Sequence, residues 1–441
     1  MDSLLHRRAD AGQAVQMRYE HDDVPAQHGD TVVLALLGAG ILHTSHSVKY
    51  RRPRGAYCLR GDCGSCLVRI DGTPNQRACL TAATPHMRVE SQNRILHGAP
   101  DPSPVVDRIL KGGMDHHHFM VRPKIANKIM QGVARGLTGL GTLPDRVITE
   151  PSAHEEHTPD VLIVGGGPAG RGAYEVLGRS DGSVLWVDRR PANERRPEPA
   201  LLADTGVFGV YPDEGLLSAM TRRLGGAPTL HTIRPRHVLF ATGATDPTLL
   251  LPNNDLPGVV SARGLIEQLR DGDTALACSV LVVGRGPLAQ SAGASLGCRV
   301  VEPDAVAGLH GHNRVEEVEL SGGERIKAQI VALAPTPTAA YELARQGGAQ
   351  VRWDGTGFGV SRDAEGRCHT DAPWTAWVCG DAAGYHEGCH DDDPRPPPGA
   401  ADVHLFGQAH DAQARDDGRR VAGHVLATLR APAPPTASEP R

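Results

Sequence analysis

The chain has 441 residues, with 46 lysines and arginines against 51 acidic residues and a formal net charge of −5 at pH 7. This length allows two or three domains with a sizeable core, and the charge balance does not indicate nucleic-acid binding. The opening residues, MDSLLHRRADAG, lack the apolar stretch of a secretory signal, and the run TVVLALLGAGIL is too short to span a bilayer. We therefore expect a cytoplasmic protein without a transmembrane segment, or one held at the inner face of the membrane through partners.

The first apolar run, TVVLALLGAGIL, is predicted to form a helix. Asp30 or Thr31 stands immediately before it and is suited to be its N-cap.

Four cysteines follow this helix at a characteristic spacing. Cys58, Cys63 and Cys66 lie in CLRGDCGSC, and Cys79 follows in QRACL. Cys-x4-Cys-x2-Cys with a distant fourth cysteine is the plant-type [2Fe–2S] spacing. A structural zinc usually takes its cysteines in close pairs, and a Cys63–Cys66 disulfide would leave two cysteines unused. We predict a [2Fe–2S] cluster, with zinc and a redox disulfide as the alternatives.

The other cysteines and histidines carry less information. The histidines of DHHHF at 116–118, and His386 with Cys389 and His390, are weighed as metal ligands but not favoured. The basic run KYRRPRG at 49–55 either offsets the negative charge of the cluster or is a solvated turn. The remaining cysteines are scattered and are interpreted as buried or incidental: Cys278, Cys298, Cys368, Cys379 and Cys389.

Residues 100–159 are predicted as a connector. KIANKIMQGVARGLTGLG has apolar residues at helical spacing, whereas LPDRVITEPSAHEEHTPD has no clear period and indicates a linker. Further along the chain, DDDPRPPPG at 391–399 is predicted as a surface loop and residues 431–441 as a disordered tail.

A strand, a glycine turn and a second strand follow the connector. DVLIVGGGPAG places Gly165, Gly167 and Gly170 after an apolar strand, and the next strand, SVLWVD, ends at Asp188. In the dinucleotide fingerprint the first glycine makes the turn, the second admits the pyrophosphate and the third allows close helix packing. The acid binds the ribose hydroxyls. This stretch is therefore predicted to bind an adenine dinucleotide.

The same unit recurs in SVLVVGRGPLA. Gly284 and Gly286 take the first two glycine positions, Ala289 takes the third, and Glu302 ends the following strand. An acid at the ribose position favours NAD(H) over NADP(H). This second site is predicted either to bind NAD or to be a degenerate domain that only packs.

Two more strands end in polar residues suited to a flavin. HVLFATGA runs into Thr242 and Gly243, and WVCGDAAG ends at Gly380 and Asp381. A helical segment follows the proline-rich loop. Asp381 is suited to bond the ribityl chain, and the helix N-terminus to face the electron-rich end of the isoalloxazine.

These motifs carry a family resemblance. VGGGPAG, ATG and CGDAAG resemble the three flavin-site motifs of the two-dinucleotide-binding-domain flavoprotein oxidoreductases. TGVFGVYPDEGLL and LPNNDLPGVVSA are similar to the alpha subunit of heterotetrameric sarcosine oxidase and its relatives. Those relatives include hydrogen cyanide synthase, opine oxidase and the proline or hydroxyproline dehydrogenases. The resemblance implies FAD, and a D-amino-acid-oxidase-like partner subunit with its own FAD that oxidises the amine.

The predicted fold class is α/β, with two Rossmann-like dinucleotide-binding domains and an N-terminal α+β [2Fe–2S] ferredoxin-like domain. The predicted divisions are residues 1–99 for the cluster domain, 100–159 for the connector, 160–258 with 365–430 for the FAD domain, 259–364 for the second nucleotide domain and 431–441 for the tail.

The chain departs from the family pattern in several places. Asp188 replaces the more usual Glu, and RRPANERRPEPALL stands where a Gly-Gly turn is expected, so the first site is left open between FAD and NAD. A second cysteine cluster after GDAAG and a folate-binding half are missing.

Cofactors are expected to carry the chemistry, and the sequence leaves any catalytic side chain unassigned. We expect an electron-transferring subunit of an amine or amino-acid dehydrogenase complex acting on a substrate of the sarcosine, proline, hydroxyproline, opine or glycine type, and passing electrons on to a separate acceptor. The alternatives are a self-sufficient NADH-dependent ferredoxin reductase and a scaffold with structural nucleotides.

Overall fold

The structure is a computed structural model that describes residues 3–7, 13–47, 52–93, 143–192, 198–353, 355, 357–385, 391–393 and 401–430. Several predictions lie outside these residues. They concern the helical part of the connector, the histidines at 116–118, the group at 386–390, most of the proline-rich loop, Lys49, Arg51 and the tail at 431–441.

Short strands make up most of the regular structure. In chain order they are β1 (Leu5–Arg7), β2 (Ala14–Tyr19), β3 (Asp22–Gln27), β4 (His43–His46), β5 (Pro53–Gly55), β6 (Leu67–Ile70), β7 (Thr73–Arg77), β8 (Arg88–Ser91), β9 (Ala153–His157), β10 (Val161–Val164), β11 (Val184–Val187), β12 (Leu201–Leu202), β13 (Thr205–Tyr211), β14 (Leu216–Thr221), β15 (Thr229–Ile233), β16 (His237–Phe240), β17 (Ala244–Thr245), β18 (Val259–Ser261), β19 (Thr274–Leu276), β20 (Val280–Gly284), β21 (Val300–Val301), β22 (Val306–His310), β23 (Glu317–Leu320), β24 (Arg325–Lys327), β25 (Ile330–Ala334), β26 (Thr338–Ala339), β27 (Val351–Trp353), β28 (Phe358–Val360), β29 (Arg367–Cys368) and β30 (Thr375–Val378).

The described helices are α1 (Val32–Gly38), α2 (Pro168–Leu177), α3 (Ala262–Asp271), α4 (Gly286–Leu296), α5 (Glu342–Gln346) and α6 (Gln408–Arg430), with short 3-10 helices at Ala78–Leu80, Pro303–Ala305 and Gly380–Ala383. None of the helices in the described part of the chain has both the length and the apolar character needed to cross a membrane.

The chain divides into two compact units. Unit 1 contains Met1–Ile148, Thr248–Pro335 and Pro396–His404, and unit 2 contains Thr149–Pro247, Thr336–Arg395 and Leu405–Arg441. The finer domain boundaries stay a prediction.

The N-terminal part of unit 1 is a five-stranded sheet in the order β3-β2-β8-β6-β7, accompanied by α1. Helix α1 buries Val32 through Leu37. Its N-cap is Thr31, whose hydroxyl oxygen accepts from the Leu34 N–H at 3.3 Å. The predicted helix and one of its two predicted caps are therefore confirmed, although the helix ends at Gly38.

The second part of unit 1 is a parallel sheet in the order β18-β25-β20-β21, with α3 and α4 beside it. Alternate strand residues point to one face, where a three-stranded antiparallel sheet, β22-β23-β24, supplies the opposing side chains. The shared core includes Leu281, Val283, Val331, Leu333, Leu309 and Val318.

Unit 2 is built on a six-stranded sheet in the order β12-β11-β10-β16-β30-β29, of which only β29 is antiparallel to its neighbour. Both faces are covered, which explains the uninterrupted apolar run of β10. Val161 and Ile163 pack towards α2 and α6, whereas Leu162 and Val164 pack with residues of a second sheet.

That second sheet of unit 2 has the order β13-β14-β15-β9. Its edge strand β9 lies in a stretch predicted as linker, so this part of the prediction is wrong. The residues of β9 are exposed apart from the half-buried His157, which leaves no apolar alternation for sequence reasoning to detect.

Helices α2 and α6 cross closely at glycines. A Cβ on Gly172 would stand 2.1 Å from the Arg415 carbonyl oxygen, and one on Gly418 would stand 2.0 Å from that of Ala169. The two parallel sheets with their helices and the N-terminal sheet confirm the predicted fold class.

Candidate functional site

The cysteine loop surrounds the Cys58 sulfur with backbone donors. Cys58 Sγ accepts from the N–H groups of Arg60, Asp62 and Cys63 at 3.5, 3.2 and 3.3 Å. Gly61 makes this wrapping possible because it adopts a φ of +89°, a conformation that L side chains disfavour. The loop thus directs several N–H dipoles at one sulfur.

The other three thiols lie close to Cys58. Cys66 Sγ is 3.3 Å from Cys79 Sγ, and both residues are buried. Cys63 is exposed, and its sulfur accepts from the Ser65 N–H at 3.4 Å and lies 2.9 Å from the Ser65 hydroxyl. The structure therefore brings together all four cysteines of the predicted site.

The four thiols cannot ionise independently. Hydrogen bonds from Cys63 and Cys79 hold the pKa of Cys58 far below its ordinary value, and a hydrogen bond from Cys79 lowers the pKa of Cys66. The same contacts raise the pKa values of Cys63 and Cys79. Four thiolates this close require a cation between them, and a set of four sulfurs with N–H donors fits an iron–sulfur centre or zinc.

The cysteine loop is bound to helix α3 of the same unit. The Gln268 side chain donates to the Leu59 carbonyl at 2.9 Å and accepts from the Thr31 hydroxyl at 2.6 Å. A Cβ on Gly264 would stand 2.0 Å from the Cys58 carbonyl oxygen. The loop backbone beside the first cysteine therefore rests directly on α3.

The segment LPNNDLPGVVSA also contacts the N-terminal part of unit 1. Asp255 pairs with Arg54 and, at 3.0 Å, with Arg52. The Ser261 N–H donates to the Tyr57 carbonyl at 2.8 Å. The two described arginines of the basic run thus pair with a carboxylate, and the segment is one of the surfaces on which the N-terminal part rests.

In the first glycine turn, two glycines are required by packing. Gly165 has a φ of +118°, and a Cβ there would stand 2.2 Å from the Ala241 carbonyl oxygen. A Cβ on Gly170 would stand 1.9 Å from the Gly165 carbonyl oxygen. These are the tight turn and the close helix packing that the motif predicts.

Gly167 behaves differently. It is the N-cap of α2 with an ordinary φ of −74°, and a Cβ on it would meet no atom within 4 Å. The protein itself therefore does not require glycine at this position. An open cradle at a helix N-terminus fits the approach of a pyrophosphate.

Asp188 lies beside this turn. Its carboxylate accepts from the Gly166 N–H and from the Arg190 N–H at 2.7 Å, and it pairs with the Arg190 side chain at 3.2 Å. Burial opposes ionisation, but these groups outweigh it and lower the pKa of Asp188. The acid is therefore ionised and held at the turn.

The other two predicted flavin-site stretches end near the same edge of the sheet. Gly243 has a φ of +74° with open space around its Cβ position, and the Thr242 hydroxyl donates to the Ala340 carbonyl at 2.6 Å. Asp381 pairs with His410 of α6 at 2.8 Å. A Cβ on Gly380 would stand 2.7 Å from the Ala169 Cβ.

The second glycine turn lies in unit 1. Gly284 ends β20, where a Cβ would stand 2.5 Å from the Ala334 carbonyl oxygen, and Gly286 begins α4 with a φ of +80°. Glu302 is exposed and pairs with Arg285 at 3.3 Å, and Arg285 also reaches Asp304 at 2.6 Å. A nucleotide ribose at Glu302 would have to share the carboxylate with this arginine.

Sequence reasoning did not identify several residues that support these sites. His410 holds Asp381, Asp417 accepts from the Gly380 N–H at 2.9 Å, and Gln268 holds the cysteine loop. Each lies far along the chain from its partner, so no local motif indicates it. Ser65 is the exception, because it lies inside the cysteine loop, where its hydroxyl and N–H contact the Cys63 sulfur.

Comparison with known proteins agrees with this arrangement. Residues 12–94 match the 2Fe-2S iron-sulfur cluster binding domain family. Over 78 residues the chain is 37% identical to hydrogen cyanide synthase subunit HcnA of Pseudomonas protegens, covering 18% of this chain and 73% of that subunit. Over 311 residues it is 28% identical to sarcosine oxidase subunit alpha of Rhizobium meliloti, covering 58% of this chain and 31% of that protein.

The chain thus spans less than a third of the length of the sarcosine oxidase alpha subunits that it matches. Among solved structures, L-proline dehydrogenase from P. horikoshii has a similar fold, with a TM-score of 0.66, 19% identity and coverage of 98% of this chain and 77% of that one. The chain belongs to the family that contains the sarcosine oxidase alpha subunit and hydrogen cyanide synthase, and it carries a [2Fe–2S] domain in its N-terminal part.

Proposed function

We propose that this chain is the electron-transferring flavin and iron–sulfur subunit of an amine or amino-acid dehydrogenase complex. Cys58, Cys63, Cys66 and Cys79 hold the [2Fe–2S] cluster. The first glycine turn, with Asp188, holds the adenine dinucleotide of FAD. The substrate is of the sarcosine, proline, hydroxyproline, opine or glycine type, and a D-amino-acid-oxidase-like subunit supplies the site that oxidises it.

The observation that carries this proposal is the cysteine loop. Its four sulfurs converge, and backbone N–H groups point at Cys58 and Cys63. Such N–H groups stabilise thiolate charge and tune the potential of an iron–sulfur centre. Zinc in a structural site takes the same sulfurs, but the 2Fe-2S domain match over residues 12–94 favours the cluster.

The first site is proposed for FAD because three stretches meet at one sheet edge. Strands β10, β16 and β30 are adjacent and parallel, so their carboxyl ends place Gly167, Gly243 and Asp381 at one edge. A Cβ on Gly167 or Gly243 would meet no protein atom within 4 Å, so the space directly beside both glycines is open. His410 Nε2 lies 2.8 Å from Asp381 Oδ1 and holds that carboxylate in place.

When bound, a flavin accepts two electrons and a [2Fe–2S] cluster carries one, so a chain with both divides a two-electron oxidation into single steps. Residues of this chain position the two groups and hold their charge. The NADH-dependent ferredoxin reductase remains the second candidate, because Gly284, Gly286 and Glu302 repeat the glycine turn and its following acid.

The test is to express the chain anaerobically, alone and together with a D-amino-acid-oxidase-like subunit encoded beside it. The purified complex is assayed for iron, sulfide and flavin, and for turnover of glycine, sarcosine, proline, hydroxyproline and opines with an artificial acceptor. We expect about two iron and two sulfide per chain. Turnover is expected only with the partner present.

Matched variants locate the cluster. Cys58→Ser should lose or strongly perturb the cluster, whereas Cys278→Ser, outside the loop, should retain it. Stoichiometric zinc without sulfide would contradict the cluster assignment. Amine turnover by the isolated chain would contradict the need for a partner, and reduction of the flavin by NADH alone would favour the ferredoxin reductase.

A further inference from the structure

Three potential metal ligands converge on the second sheet of unit 2. Glu155 and His157 are two residues apart on edge strand β9, so they share one face, and His231 on β15 is the register partner of Glu155. His157 Nε2 lies 3.0 Å from His231 Nδ1. Glu155 Oε2 lies 3.6 Å from the first of these nitrogens and 3.5 Å from the second.

A hydrogen-bond chain fixes the tautomer of His231. The Thr205 hydroxyl donates to the Ala203 carbonyl at 2.9 Å, which uses its only hydrogen. Thr205 therefore accepts from Thr221 at 2.6 Å, and the Thr221 oxygen in turn accepts from His231 Nε2–H at 2.8 Å. The proton of His231 is thus on Nε2, and the Nδ1 lone pair faces His157 and Glu155.

This is the arrangement that metal-bound histidines use. A ligating histidine donates its other ring N–H to a fixed acceptor, which sets the ring orientation and raises its basicity. His231 is buried, so its ring is held in place with Nδ1 facing Glu155 and His157.

The spacing of the three atoms agrees with zinc. Zinc bonds to histidine nitrogen and carboxylate oxygen are about 2.0–2.2 Å long, so ligand atoms at the corners of a tetrahedron stand about 3.3–3.6 Å apart. The three ligand atoms are 3.0, 3.5 and 3.6 Å apart, so a point about 2.0 Å from each of them lies inside their triangle.

We propose that Glu155, His157 and His231 form a zinc site that clamps edge strand β9 to β15. The fourth position is open to solvent, because Glu155 is exposed and His157 is half-buried. The site lies just before β10 in the chain, so a cation there fixes the strand that leads into the first glycine turn.

The experiment uses the full chain with its cluster in place. The protein is dialysed against zinc sulfate at a series of concentrations, and zinc and iron per chain are measured by mass spectrometry. We expect one zinc per chain with the iron content unchanged. His157→Ala should weaken binding at least tenfold, and Thr221→Val, which removes the acceptor for His231, should weaken it about 10–100-fold.

His154→Ala is the matched control. His154 is on the same strand but contacts Thr232 at 2.9 Å on the opposite face, so its loss should leave zinc binding unchanged. Tryptophan fluorescence checks folding, because all four tryptophans are in unit 2. Equal binding by wild type and His157→Ala, no stoichiometric zinc, or zinc gained only as iron is lost would each overturn the proposal.

Discussion

Gly167 differs from Gly165 and Gly170 in what an added side chain would contact. Its Cβ would point into open space, whereas those of Gly165 and Gly170 would overlap carbonyl oxygens. Gly167 is then needed for a ligand, and Gly165 and Gly170 are needed for the fold.

We predict that Gly167→Val lowers the free energy of unfolding of unit 2 by about 1 kcal/mol at most, the cost of a poor N-cap, because a Cβ there meets no protein atom within 4 Å. The bound dinucleotide should be lost, because the side chain occupies the approach to the backbone. Gly170→Ala is the comparison variant and should destabilise unit 2 through its contact with the Gly165 carbonyl oxygen. Flavin content and urea unfolding followed by tryptophan fluorescence measure both effects. Full retention of dinucleotide by Gly167→Val would rule out this turn as the site.

His237 makes unit 2 sensitive to mild acid. Burial, with Arg236 nearby, lowers its pKa, and its Nδ1 accepts from Trp377 Nε1–H at 3.3 Å, which requires the neutral ring. In the unfolded chain His237 binds a proton below about pH 6.5, whereas in the folded chain it binds one only at lower pH. Stability is therefore complete above that pH and is lost as the pH falls towards the folded pKa.

We expect the urea midpoint of unit 2 to decrease between pH 7.5 and 5.5, and to decrease less in His237→Gln, whose side-chain oxygen can still accept from Trp377. The lowered pKa values of Asp188 and Asp417 act in a separate window near and below pH 4. Burial also lowers the pKa of His231, so His231 contributes to the same loss of stability in acid and is still present in His237→Gln. An identical pH response in variant and wild type would show that His237 does not contribute.

At the residue scale, the sequence predicted what is local. The four cysteines and the glycines of both turns can be predicted as site residues because their spacing along the chain indicates a loop or a strand–turn–helix. Their supports were not found. His410, Asp417 and Gln268 come from distant helices, and the zinc ligands are split between β9 and β15, so only the folded chain brings these residues together.

At the scale of elements, α6 offers two glycines in opposite surroundings. Gly418 is buried at the crossing with α2, where a Cβ would stand 2.0 Å from the Ala169 carbonyl oxygen. Gly423 is exposed on the same helix, and a Cβ there would meet no atom within 4 Å.

Alanine should therefore have opposite effects at these two positions. Gly418→Ala should destabilise unit 2 by about 1–3 kcal/mol, because the helices must move apart. Gly423→Ala should stabilise it by about 0.4–1 kcal/mol, because the unfolded chain loses freedom and helix propensity rises. Urea unfolding followed by tryptophan fluorescence measures both. Equal effects of the two substitutions would mean that the close crossing of α2 and α6 is not required.

Elements were predicted where burial leaves a pattern. The apolar runs of β10, β16, β20 and β30 were recognisable because both faces of a parallel sheet are covered. The sequence predicts linker at β9 because AHEEH has no apolar residue beyond Ala153, and the strand is held by pairing with β15 rather than by an apolar face.

At the scale of the whole molecule, the predicted cluster domain and the predicted second nucleotide domain belong to one compact unit. Gln268 connects them, since it is buried and bonds both the Leu59 carbonyl and the Thr31 hydroxyl. Leu59 directly follows Cys58 and has a φ of +56°, so its backbone depends on such support. A sequence motif describes the cysteines but not the helix that holds their loop.

We predict that Gln268→Leu makes the cluster more labile while unit 2 remains intact. The leucine cannot donate to the Leu59 carbonyl, which is left buried without this donor, at a cost of about 1–3 kcal/mol to the docked loop. Visible absorbance in air should decay faster than in wild type, with tryptophan unfolding unchanged because all four tryptophans are in unit 2. Gln346→Leu, an exposed glutamine on α5, is the control and should decay at the wild-type rate. A cluster in Gln268→Leu that is as stable as in wild type would mean that the N-terminal part holds its cluster without help from α3.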